Sequence, residues 1–116
     1  MRFEDLDVWK RSARLSAEIY KHFQSLKDFG FKDQITRSSL SVPSNIAEGY
    51  ERKSNKEFIN FLSYAKGSSG ELRTQIYIGI EIDYIKKDTG MLWIKEAEEI
   101  SRMIAGLMNS QRQKGR

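Results

Sequence analysis

The chain is 116 residues long, with a net charge of +4 and no cysteine, which excludes a second large domain, disulfides, thiolate metal sites and cysteine nucleophiles. Hydrophobic residues make up 39% and charged residues 31%, enough to collapse around a core, and no apolar run approaches the ~20 residues of a membrane span. Three of the positive charges, Arg112, Lys114 and Arg116, sit in the last five residues without an acid, leaving only +1 on the body of the chain; a single subunit is therefore a poor polyanion binder outside its tail. The start, MRFEDLDVWKR, carries acids where a secretion signal needs an apolar stretch, so a cytoplasmic location is expected.

Apolar residues recur at helical spacing through nearly the whole chain. The spacing predicts a first helix over 5–27, with Asp5 as N-cap and Leu6, Trp9, Ala13, Ser16, Tyr20 and Phe23 on one face; Asp28-Phe29-Gly30 is expected to stop it, glycine supplying a left-handed conformation. His22, the only histidine, lies at the edge of that face and is read as a boundary residue rather than a ligand. A second helix is predicted over 32–49, with Ile35, Ser39, Val42, Ile46 and Gly49 along its seam. Pro43 removes one helical hydrogen bond, and Gly49 is expected to end the helix.

Ser54-Asn55-Lys56-Glu57 has the capping-box pattern that opens a helix. This third helix is predicted over 54–83. Gly67-Ser68-Ser69-Gly70 lies inside it and costs about 1 kcal/mol per glycine, but Leu62, Ala65, Ser69, Leu72 and Ile76 hold one face across it. The fourth helix, over 88–110, starts at Asp88 or Thr89 and carries Trp93, Ala97, Ile100, Ile104 and Leu107. Residues 111–116 read as a frayed basic tail. Four helices with short connections make one all-α domain, an antiparallel up-down-up-down four-helix bundle.

Polar residues occupy positions where a core helix usually carries leucine. Ser38, Ser41, Asn45 and Glu48 form a stripe on the second helix, and Ser68 and Glu71 answer it on the third. Folding the two helices about 50–54 sets Ser38 opposite Ser68, Ser41 opposite Ala65 and Glu48 opposite Phe58, with an Arg37–Glu71 ion pair nearby. We read the set as a structural layer that fixes register or lines a subunit contact, because buried polar groups usually satisfy one another. The competing reading is a ligand pocket.

A di-iron site in a bundle needs inward glutamates and two Glu-x-x-His pairs; one histidine cannot supply them, nor a Ser-His-Asp arrangement. No strand accompanies Gly67–Gly70 to make a nucleic-acid clamp of the KH type. No catalytic residue, metal ligand or cofactor is therefore assigned. Nucleic-acid binding has more support: Tyr50, Arg52, Lys53 and Lys56 put an aromatic ring among cations at one end of the bundle, a combination suited to stacking and phosphate contact. Arg37 and the tail residues Arg112, Lys114 and Arg116 could add phosphate contacts.

Asp5-Leu6-Asp7-Val8-Trp9, the block from Ser41 to Arg52 (SVPSNIAEGYER), Ala65-Lys66-Gly67-Ser68 and Glu71-Leu72 together resemble the bacterial four-helix-bundle proteins of the 23S ribosomal RNA intervening-sequence type. The resemblance spans essentially the whole chain. It implies a four-helix bundle and kinship with the accessory proteins of diversity-generating retroelements, which form pentameric rings and bind nucleic acid and a reverse transcriptase. It carries over no catalytic residue. Asp83 departs from the pattern, standing before Tyr84 where glycine is common in the family. The combined expectation is a non-enzymatic homo-oligomeric ring, a pentamer by resemblance, that binds RNA or DNA; the alternative is a protein–protein scaffold that binds no nucleic acid.

Overall fold

The structure, a computed structural model, describes residues 1–115. Among them are a 3-10 turn, Phe3–Asp5, and four helices: α1 Asp7–His22, α2 Phe29–Tyr50, α3 Asn55–Glu81 and α4 Lys87–Lys114. Each helix packs on its sequence neighbours, and α1 closes the square against α4. The result is a four-helix bundle in a rod of 48 × 20 × 20 Å, as the spacing of apolar residues predicts. Its core is built from Leu15, Ile19, Phe23, Ile35, Val42, Ile46, Leu62, Leu72, Ile76, Ile100 and Ile104, all buried. The third helix is unbroken through Gly67–Gly70.

Helix ends differ from expectation, each for a local reason. The Asp5 carboxylate accepts the Arg2 N–H at 3.1 Å and caps the 3-10 turn, so α1 begins after Leu6. Asp28 does not stop the first helix. It starts α2, its carboxylate accepting the Phe31 N–H at 3.1 Å, and Gly30 lies within the first turn. The same carboxylate accepts the Tyr84 hydroxyl at 2.8 Å, which holds the Asp28 carboxyl below its ordinary range and pushes the Tyr84 hydroxyl up. His22 Nε2 lies 3.1 Å from the Tyr84 carbonyl, and its ring packs edge-on against Phe23 and Trp93. This lone histidine thus closes one end of the bundle.

Gly49 does not stop α2 either; the helix runs to Tyr50, and no glycine has a positive φ. The left-handed position belongs to Asp83, at φ 65°, just beyond the end of α3. Aspartate is one of the few non-glycine residues that tolerates that region, so the turn forms without a glycine. The fourth helix continues past 110 to Lys114, so most of the expected frayed tail is helical. Arg116 lies outside the described residues.

The helix register also corrects the expected pairings. Ser41 meets Ser68, with the hydroxyl oxygens 2.9 Å apart, rather than Ala65. Ser38 hydrogen-bonds the Gln75 side chain rather than Ser68, and Gly49 rather than Glu48 lies against Phe58. The shift follows from side-chain direction. Every Cα–Cβ bond leans toward its own helix N-terminus, so α2 side chains lean away from the connecting turn and α3 side chains lean toward it. Residues that touch are therefore displaced farther along α3 than backbone level suggests, by three positions at Ser41 and by seven at Ser38, whose partner is the long Gln75 side chain.

A second polar set, outside the predicted stripe, lies in the bundle interior. Ser16 and Ser39 bring their hydroxyl oxygens to 3.1 Å. Ser101 donates to the Ser69 hydroxyl at 2.8 Å, and Ser69 donates to the Ala97 carbonyl at 3.0 Å. All four serines are buried, and the gap beside them has no room for a water molecule. Small residues on all four helices thus form a waist at mid-bundle.

Across the α1–α4 seam, Arg11 makes a bidentate pair with Glu96, at 2.9 Å from Nε and 2.5 Å from Nη2. The guanidinium holds the Glu96 carboxyl below its ordinary value. A carboxyl lowered by folding adds stability above its unfolded-state pKa, and that stability disappears as pH falls through the lower, folded value. Both groups are about one-third exposed, so solvent screens the pair. Glu96→Gln is expected to lower stability by about 1 kcal/mol or less at pH 7, and the two proteins should converge in acid below the folded-state value. Urea unfolding of the two proteins at a series of pH values from 7 downward measures this.

Candidate nucleic-acid interface

The end of the bundle carrying the 50–54 turn collects the α2 C-terminus, the α3 N-terminus and the α4 C-terminus. Ser54 opens α3 by accepting the Glu57 N–H at 3.2 Å; the Glu57 carboxylate accepts the Ser54 hydroxyl at 3.4 Å. Asn55, the first helical residue, reaches across to α4 and donates from Nδ2 to the Gln111 carbonyl at 3.1 Å. That bond adds a second donor to a carbonyl that already accepts the Gly115 N–H, and it ties the two helix ends together.

Between them runs a groove of about 660 Å³. Lys56, Arg112 and Lys114 line it, together with the amides of Asn55, Asn60 and Gln111 and one apolar side chain, Ile59. No carboxylate lines the groove. The positive end of α3 adds to the same potential and the negative end of α4 opposes it, so the side-chain cations set the sign. The grooves elsewhere that hold arginine or lysine pairs also hold acids: Asp88 and Glu98 in one, Glu18 and Glu96 in another.

The predicted contact residues divide into two groups. Lys56, Arg112 and Lys114 come together although 56 residues separate Lys56 from Arg112. Lys53 is exposed on the adjoining turn. Arg52 is engaged locally, 3.4 Å from Glu48 and over the Phe61 ring at 4.8 Å. Tyr50 is not the open stacking platform its position suggests: its ring packs edge-on against Phe58 and its hydroxyl donates to the Met1 carbonyl at 2.9 Å. Arg37 lies well away along α2. It bonds both oxygens of the Asp33 carboxylate at 3.1 Å, one helical turn back, in place of the expected pair with Glu71.

The polar stripe divides as well. Asn45, Ser41 and Ser68 form a chain across the α2–α3 seam, Asn45 donating to the Ser41 carbonyl at 2.8 Å and to its hydroxyl at 2.9 Å, while Ser38 makes a separate link to Gln75. Glu48 and Glu71 are exposed. Their helical phase carries them just past the edge of the seam, where a carboxylate keeps its water instead of losing it. Among the described residues no group of three histidine, aspartate or glutamate side chains could hold a metal ion.

Asn55, Ile59, Asn60 and Gln111 belong to the groove although the sequence reading did not select them. For Gln111 a signal exists: it lies one heptad beyond Ile104, on the continuation of the α4 seam, and is 9% exposed. Reading the tail as frayed concealed it.

The model of the 23S rRNA-intervening sequence protein family matches residues 4–106. Among solved structures, a protein of unknown function from the S23 ribosomal protein family of Bacteroides thetaiotaomicron superposes with a TM-score of 0.81 at 26% identity, covering 87% of this chain and 97% of that one. No curated protein matches. No helix among the described residues is long and apolar enough to cross a membrane.

Proposed function

The chain belongs to the 23S rRNA-intervening sequence protein family, and on that premise we propose that it is a cytoplasmic, non-enzymatic factor that assembles into a homo-oligomeric ring and binds RNA. The observation that carries RNA binding is the α3–α4 end groove, lined by three cations and no carboxylate. Its charge is local, which answers the weak net charge of the body: a subunit with little total charge can still offer one short basic track, and a ring repeats it. Binding rather than catalysis is supported by His22, the only histidine, which is committed to the Tyr84 carbonyl.

Self-assembly is supported by two unlike apolar surfaces. A groove of about 590 Å³ between α1 and α2 is lined by Trp9, Ala13, Tyr20, Leu40 and Pro43. On the opposite edge of the square, α3 and α4 expose Tyr77, Met91 and Leu92. Large apolar side chains grouped on a surface mark contact sites. Unlike patches joined head to tail generate rings when the rotation closes; five copies is the number implied by the likeness to retroelement accessory proteins.

Three phosphate contacts per subunit on single-stranded RNA give a salt slope of about −2, hence roughly 20-fold weaker binding at 200 mM than at 50 mM salt. Replacing Lys56, Arg112 and Lys114 together by alanine should flatten that slope. Light scattering on the free protein should give a multiple of the 13.5 kDa chain mass, and titration with labelled RNA across salt gives the slope. Absence of binding at 50 mM salt would leave the protein–protein scaffold as the correct reading.

A further inference from the structure

Beyond its three cations, the end groove contains a set of amides that phosphate binding does not use. Gln111 is 9% exposed and lines the groove. Its carbonyl accepts from Asn55 and from the Gly115 N–H, but its side-chain amide makes no hydrogen bond among the described residues. The amide atoms themselves reach solvent, because among the described residues only Arg73 Nε is a buried side-chain polar atom without a partner, so they are open to a ligand in the groove. Asn60 is exposed on α3 and lines the same groove, and Ile59 is the groove's apolar side chain. Phosphate oxygens only accept hydrogen bonds, so an amide carbonyl has no use for them. A base edge, by contrast, offers donors and acceptors side by side, the pattern an amide matches with two bonds.

We propose that the end groove holds an unpaired nucleotide within a longer strand: its own and the flanking backbone phosphates against Lys56, Arg112 and Lys114, its base over Ile59 with its edge on the Gln111 and Asn60 amides. This rests on the RNA-binding reading above and narrows it to single-stranded or looped RNA. In a duplex the Watson–Crick edges are already paired and the remaining major-groove edges lie too deep for side chains to reach. The groove, of about 660 Å³ and open to solvent, has room for a nucleotide. Asn55 serves the site indirectly by fixing the α4 end that carries Gln111 and Arg112 at the mouth of α3.

The test measures binding of the full chain at 50 mM salt to a 12-nucleotide single-stranded RNA and to the same sequence as a duplex. We expect the single strand to bind about tenfold tighter, the scale of one well-made base-edge contact. Gln111→Met, which keeps length and burial, should erase that preference while leaving the salt slope and the duplex affinity unchanged. Asn60→Ala, on the exposed side, gives the same readout should Gln111→Met perturb folding. Equal affinity for the two RNAs, or a preference that survives both substitutions, overturns the nucleotide site but leaves RNA binding intact. Failure to bind either RNA overturns the RNA-binding reading itself.

Discussion

Gly49→Ala is expected to lower the unfolding free energy by about 2–3 kcal/mol, while Gly67→Ala raises it by up to about 1 kcal/mol. Both glycines sit in helices, so propensity alone would make both substitutions stabilising. Surroundings reverse the sign at one of them. A Cβ on Gly49 would lie 2.6 Å from Phe61 Cβ, 3.0 Å from Phe58 Cδ1 and 3.2 Å from the Phe58 carbonyl oxygen. Two of those atoms belong to the α3 backbone or are bonded directly to it, so relief requires moving α2 away from α3. A Cβ on Gly67 would meet nothing within 4 Å and simply replaces a floppy residue in an exposed turn. The pair should differ by roughly 10 °C in melting temperature for a domain of this size. Equal melting temperatures would mean that the α2–α3 approach at Gly49 is looser than the structure has it.

The same residue shows what the sequence could and could not reveal. The helical period of the apolar residues made the four rods and their order legible, because burial of one face per helix depends on spacing alone. Glycine is ambiguous on that basis. Gly49 and Gly30 read as helix stops, yet neither leaves the right-handed region; Gly49 is needed for a close approach by another helix, a fact about tertiary contact. Side-chain register shifts for a similar reason, since pairing by backbone level ignores the lean of side chains. At the candidate site, Lys56 and the tail cations were visible as charges, but their meeting depends on α4 continuing to Lys114. The amides lay hidden because asparagine and glutamine mark no chemistry until a fold brings them together. Tyr50 was misleading for the opposite reason: an aromatic ring beside cations looks like a stacking surface whether it faces solvent or, as here, packs on Phe58.

The serine waist offers the sharpest division between scaffold and site. Ser69 links α3 to α4 twice, as donor to the Ala97 carbonyl and as acceptor from Ser101. Ser69→Ala leaves the buried Ser101 hydroxyl without that acceptor, and a loss of about 2 kcal/mol is expected. Ser101→Ala removes the donor but leaves Ser69 bonded to Ala97, so its cost should be nearer 1 kcal/mol. The double substitution removes both ends together and should cost little more than Ser69→Ala alone, a coupling of about 1 kcal/mol. Denaturant unfolding of the four proteins closes the cycle. RNA titration of the same set should show no change, since the waist lies within the bundle and shares no residue with the end groove. Additive losses would deny the hydroxyl pairing. A change in RNA affinity with stability held would move the binding site into the bundle interior, because only a ligand entering between the helices could sense a hydroxyl enclosed by all four.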